Sequence, residues 1–158
     1  MNPLTRILAA AALFLSVGVA GAGVNVTYLK PEQFYDIPTL QRDRVLKEIN
    51  DHFTALGTRL PPGQNLDIEI SAVVLAGRII PEHRTTEEIR VLRGEADWPS
   101  MHLRYRLESN GQVLRSGEED LSNMMYLQKI NNYPQNDNLR YEKQMIDEWF
   151  AARFGAAH

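Results

Sequence analysis

The 158-residue chain contains no cysteine. That one absence excludes disulfides, thiolate metal ligands, thiol redox chemistry and a cysteine nucleophile. The fold must therefore hold itself together by hydrophobic burial in place of disulfides. Positive charge is also in short supply: 17 Lys and Arg stand against 20 Asp and Glu, for a net charge of −3. Nonspecific nucleic-acid binding needs the opposite balance, so no nucleic-acid partner is expected. The chain has no G-x-S-x-G elbow, no H-E-x-x-H, no P-loop and no G-x-G-x-x-G. Each of those patterns would have placed a nucleophile, a zinc ion or a nucleotide. No apolar run reaches the roughly 20 residues that a helix needs to cross a bilayer.

What is present begins with an address label. Arg6 is the only charge in Met1–Ala22, and it is followed by the apolar run Ile7–Val19 and then Ala20-Gly21-Ala22. A basic start, a short apolar core and an A-x-A site are the pattern of a cleaved secretory signal peptide. The expectation is a signal peptide over 1–22 and a single domain over 23–158, periplasmic or secreted, with no membrane span in the mature form. Loss of Arg6 would leave that domain at a net charge of −4.

The rest of the chain shows two periodicities. Val24, Val26 and Tyr28 alternate with Asn25 and Thr27, as in a half-buried strand. Over Thr39–Leu56, Val45, Leu46, Ile49, Phe53 and Leu56 fall on one helical stripe. Asp36, just before Pro38, suits the start of that helix, and Gly57 suits a left-handed cap at its end. Leu66–Ala76 reads as a long strand whose apolar second half is covered on both faces. Ile89–Leu92 is a short strand. Met101–Ser109 alternates cleanly and meets Asn110-Gly111, a strong hairpin signal, with Gln112–Glu118 as the partner strand. Leu139–Phe154 closes the chain as a helix that Asp137 or Asn138 could cap. The expected fold is α+β: a mainly antiparallel sheet of about four to five strands with two helices on one face, in the order β-α-β-β-β-β-α.

The candidate binding residues are Arg104, Arg106 and Arg115. A two-residue turn at Asn110-Gly111 pairs positions so that Leu107 faces Leu114 and Arg106 faces Arg115, with Arg104 two residues along. Like charges directly opposite one another are unfavourable. An anion could compensate them, since guanidinium forks suit carboxylates and phosphates. The acids of the earlier strand, Asp67 and Glu69, could do the same. His83 lies among Glu82, Glu87 and Glu88, but one histidine in a polar loop falls short of a zinc ligand set. No catalytic residue, metal ligand or cofactor is assigned. Tyr141, Met145, Trp149 and Phe150 form an aromatic helix face suited to the core. Lys143 and Asp147 are spaced as an i,i+4 pair, and Glu142 could cap the helix or pair with an arginine of the sheet.

Several stretches together resemble an exported bacterial family of uncharacterised proteins, domain of unknown function 3016. They are Leu60-Pro61-Pro62-Gly63-Gln64, Leu75-Ala76-Gly77, Leu103-Arg104-Tyr105-Arg106-Leu107, Gly117-Glu118-Glu119, Met125-Tyr126-Leu127, Leu139-Arg140-Tyr141-Glu142-Lys143 and Asp147-Glu148-Trp149-Phe150. The resemblance implies export from a Gram-negative-type bacterium and carries no activity or catalytic residues. The functional expectation is a non-enzymatic binding or accessory module of the cell envelope, meeting an envelope protein or a small anionic ligand through the hairpin face. The alternative is a small periplasmic hydrolase using carboxylate or histidine chemistry.

Overall fold

The computed structural model describes residues 22–81 and 88–155. Residues 1–21, which hold all but the last residue of the expected signal peptide (1–22), lie outside the described residues, as do the His83 segment (82–87) and residues 156–158. In chain order the elements are β1 (Gly23–Tyr28), α1 (Arg42–Gly57), β2 (Gln64–Val74), β3 (Arg78–Pro81), β4 (Glu88–Val91), β5 (Ser100–Ser109), β6 (Gln112–Ser122) and α2 (Arg140–Phe154). One sheet has the order β1-β2-β5-β6, and β3 and β4 form a separate two-stranded sheet. β1 and β2 run parallel, which requires a crossover between them, and α1 supplies it. The remaining pairs are antiparallel. The fold is α+β, with one strand more than expected because Arg78–Pro81 pairs with β4. Among the described residues no helix is long and apolar enough to cross a membrane.

Both helices lie on the same side of the main sheet. Alternation puts Leu66, Ile68 and Ile70 of β2 and Met101, Leu103, Tyr105 and Leu107 of β5 on that side, all buried. The helical stripe of α1 and the Met145, Ile146, Trp149 and Phe150 face of α2 close over them in one core. Trp149 sits at the junction. Its ring meets Phe53 of α1 edge-on at 6.1 Å and Tyr105 of β5 at 5.6 Å. The Tyr28 hydroxyl donates to the Leu46 carbonyl at 2.7 Å, which ties β1 to α1.

Several local expectations are corrected. β2 breaks its alternation at a bulge at Ser71 and then resumes it: Val73 is buried, while Ala72 and Val74 face solvent. Its second half is therefore covered on one side only. Gly57 is not a left-handed cap but the last residue of α1, and a Cβ there would come within 2.5 Å of Val24 Cγ2. It is glycine because the helix end and β1 touch at that point. Asp36 does not start the helix. Its carboxylate accepts the backbone N–H of Leu75 at 2.7 Å. Lys143 pairs with Asp137 at 2.6 Å in place of Asp147, and Asp137 also accepts the Leu139 N–H at 2.9 Å ahead of α2. β6 runs on to Ser122, past the expected Glu118.

Candidate functional site

The Asn110-Gly111 turn forms as expected, with φ of 52° and 77°, the left-handed pair that a two-residue hairpin turn demands. The register departs from simple pairing almost at once. Glu108 faces Val113, but the next pair is Leu107 with Arg115, because β6 carries an extra residue there. Arg106 therefore faces Ser116, and the expected Arg106–Arg115 opposition does not occur. The bulge moves Arg115 to the helix side of the sheet, where it donates to the carbonyl of Arg153 near the end of α2. Arg104 and Arg106 stay on the outer side. Of the three candidate residues, two are brought together and one is removed.

Among the described residues no helix covers the outer side of the sheet. β5 presents His102, Arg104, Arg106 and Glu108 there, and its neighbours present acids: Asp67 and Glu69 on β2, Glu118 and Asp120 on β6. A basic strand is thus flanked by acidic ones. Arg104 bridges both sides, with Nη1 at 3.3 Å from Glu69 and Nη2 at 3.1 Å from Glu118. Arg106 pairs with Glu108 along its own strand. A shallow groove of about 480 Å³ runs across this face between Thr27 and Glu118. Five carboxylates against two guanidinium groups leave the surface acidic, so the arginines offer an anion little unspent charge.

His102 completes the pattern. Its Nδ1 lies 2.6 Å from Asp120 and its Nε2 lies 2.9 Å from Glu118. These hydrogen bonds, that of Asp120 first, raise the imidazole pKa above its ordinary value against the lowering effect of desolvation. Glu118 is held below the usual carboxylate range by His102 and then by Arg104. With both ring nitrogens engaged by carboxylates, His102 has no free nitrogen to take a proton from a substrate. The geometry is that of a fixed ion cluster.

A second polar cluster joins the two helices. His52 of α1 meets Asp147 of α2 at 2.8 Å, and the Tyr133 hydroxyl donates to the other carboxylate oxygen at 2.5 Å. Burial and then the Asp147 carboxylate push the Tyr133 phenol well above its ordinary pKa. Glu142, expected to cap or pair with an arginine, is instead 1 % exposed, and its Oε1 accepts the Ala76 N–H at 2.6 Å. Burial raises its pKa to about 7, against the lowering effect of that N–H. Local spacing could not reveal either contact, since the partners lie 95 and 66 residues apart. Among the described residues no group of three or more His, Asp or Glu side chains is arranged to hold a metal ion.

The profile of a family described as "Protein of unknown function (DUF3016)" matches residues 22–152. The chain belongs to that family. The match spans every element of the sheet and all but the last two residues of α2. No curated protein and no solved structure matches the chain.

Proposed function

We propose that this DUF3016 protein is exported to the periplasm or beyond and serves there as a non-enzymatic binding or accessory module of the cell envelope. It docks a basic surface of a partner protein on the open face of its sheet. The observation that carries this reading is the charge order of that face, in which Arg104 and Arg106 are enclosed by Asp67, Glu69, Glu108, Glu118 and Asp120. An acidic surface selects Lys- and Arg-bearing partners and steers their approach. The tied nitrogens of His102 favour binding over hydrolysis.

Export is tested by expressing the full-length chain in a Gram-negative host and measuring the mass of the product in the periplasmic fraction. A product beginning near Gly23 supports the reading; an uncut chain retained in the cytoplasm overturns it. Docking is tested by cross-linking the exported protein to its partners in periplasmic extract, beside the double variant Asp67→Lys, Asp120→Lys. Both positions are exposed, Asp120 at 86 % of its side chain, so the variant keeps its fold. Salt-sensitive partners lost in the variant support the open face, and partners captured equally by both proteins refute it.

A further inference from the structure

Away from the open sheet face, the exit of β2, the start of α1 and the start of α2 surround a cavity of about 440 Å³. Three arginines line it, from three separate parts of the chain: Arg44, Arg90 and Arg140. The only carboxylate among its described lining residues is Asp137, which Lys143 already neutralises at 2.6 Å. Gln135 and Asn138 add neutral hydrogen-bonding groups to the wall.

The three arginines differ in how much donor capacity they have left. Arg90 is immobilised. Its Nη1 reaches Asp36 Oδ2 at 3.3 Å and the Gly77 carbonyl at 3.0 Å, and its Nη2 donates to the Asp36 carbonyl at 2.8 Å. Arg44 shares Nη1 with Glu48 at 3.1 Å and Nη2 with Gln41 at 3.4 Å, both on the exposed side. Arg140 has no carboxylate partner among the described residues. Its Nη2 donates to the Asn131 carbonyl at 3.3 Å, its guanidinium lies 5.3 Å from the Tyr141 ring centroid, and its buried Nε has no acceptor among the described residues. A buried donor without an acceptor is costly unless something supplies one. A guanidinium carries five N–H donors, so each arginine keeps some to offer.

We propose that this cavity binds the oxyanion group of a small molecule, a carboxylate or a phosphate, with Arg140 and Arg90 as the principal contacts and Arg44 at the mouth. Its volume lies within the roughly 300–1,000 Å³ of small-ligand sites and is too small for a macromolecule. Planar guanidinium forks match the oxygens of either anion, and a fork already fixed, as in Arg90, loses little entropy on binding. Asp36 and Glu48 offset Arg90 and Arg44, so Arg140, with no carboxylate partner among the described residues, supplies the charge that draws an anion to this place.

The test is isothermal titration calorimetry of the purified protein with inorganic phosphate and, separately, with succinate, at constant ionic strength set with sodium chloride. Saturable binding of phosphate alone identifies a phosphate site, binding of succinate alone a carboxylate site, and binding of both a general oxyanion site. Arg140→Gln and Arg44→Gln should each weaken the binding by about tenfold or more. Lys47→Ala, which removes one exposed charge of α1 outside the cavity, should leave it unchanged. Arg44 is half exposed, so Arg44→Gln keeps its fold even where Arg140→Gln does not. No heat with either anion, or binding that both arginine variants retain in full, overturns the proposal.

Discussion

Glu142 Oε1 accepts the backbone N–H of Ala76 at 2.6 Å, so a buried carboxylate in the first turn of α2 holds the chain where it leaves β2. Asp36 holds the neighbouring Leu75 N–H in the same way, and Arg90 grips the Leu75, Ala76 and Gly77 carbonyls from the other side. The turn out of the sheet is therefore clamped by side chains where ladder hydrogen bonds end.

This clamp makes stability depend on pH. The carboxyl of Glu142 is raised by burial from 4.5 to about 7 in the fold, so between those values the unfolded chain releases a proton that the folded one keeps. The stability associated with this group is fully present below about pH 4.5 and is lost as the pH rises through 7. Urea denaturation at a series of pH values should show that decline, and Glu142→Gln should flatten it. Glu142→Ala should cost about 2–3 kcal/mol at pH 5, because it strands the Ala76 N–H in the core.

His102 contributes a second, separable slope. Its pKa is raised in the fold, so its stabilisation is complete below the ordinary histidine value of 6.5 and fades as the pH rises through the elevated one. NMR titration of the imidazole should place its midpoint above 6.5. Asp120→Asn, which removes the charged acceptor at Nδ1, should bring the midpoint down.

Gly57→Ala sets two effects against each other. Alanine in a helix is worth up to about 1 kcal/mol over glycine. The new Cβ, however, would stand 2.5 Å from Val24 Cγ2 and 3.3 Å from Val24 Cβ. Overpacking of that kind costs about 1–3 kcal/mol, so the clash should win and the midpoint of thermal unfolding should fall. Gly57→Ala with Val24→Ala should recover part of the loss.

The α1–α2 cluster should be structural. Asp147→Ala leaves the Tyr133 hydroxyl and His52 Nε2 without their shared acceptor at a half-buried site, for an expected loss of about 1–3 kcal/mol. Tyr133→Phe removes one donor only and should cost about 1 kcal/mol. Equilibrium denaturation of both variants measures the difference.

Trp149→Ala should be the most damaging of these changes, at about 3–5 kcal/mol. Its ring contacts Phe53, Tyr105 and Phe154 edge-on, and its Nε1 donates to Glu119 at 3.2 Å. Near-ultraviolet circular dichroism should lose its fine structure before secondary structure is lost.

Periodicity alone determined which faces are apolar, and those faces are the core. Val24, Val26 and Tyr28, the stripe from Val45 to Leu56, the alternation of β5 and Met145, Trp149 and Phe150 of α2 all pack where their spacing puts them, whereas Tyr141, expected on the same core face, is only half-buried and lines the cavity. This works because burial of one face is a local property, written every second or every third to fourth residue. The Asn110-Gly111 turn was legible for the same reason. The tertiary structure decided the charges. One extra residue in β6 separated Arg115 from Arg106, and a single-residue slip is invisible to composition while it sends a side chain to the other face of the sheet. Glu142, Asp36 and Asp147 took partners from distant elements, and Arg44, Arg90 and Arg140 converged on one cavity from three. Hydrogen bonds and ion pairs act over about 3 Å between atoms, so their partners are set by how helices and sheet dock and not by spacing along the chain.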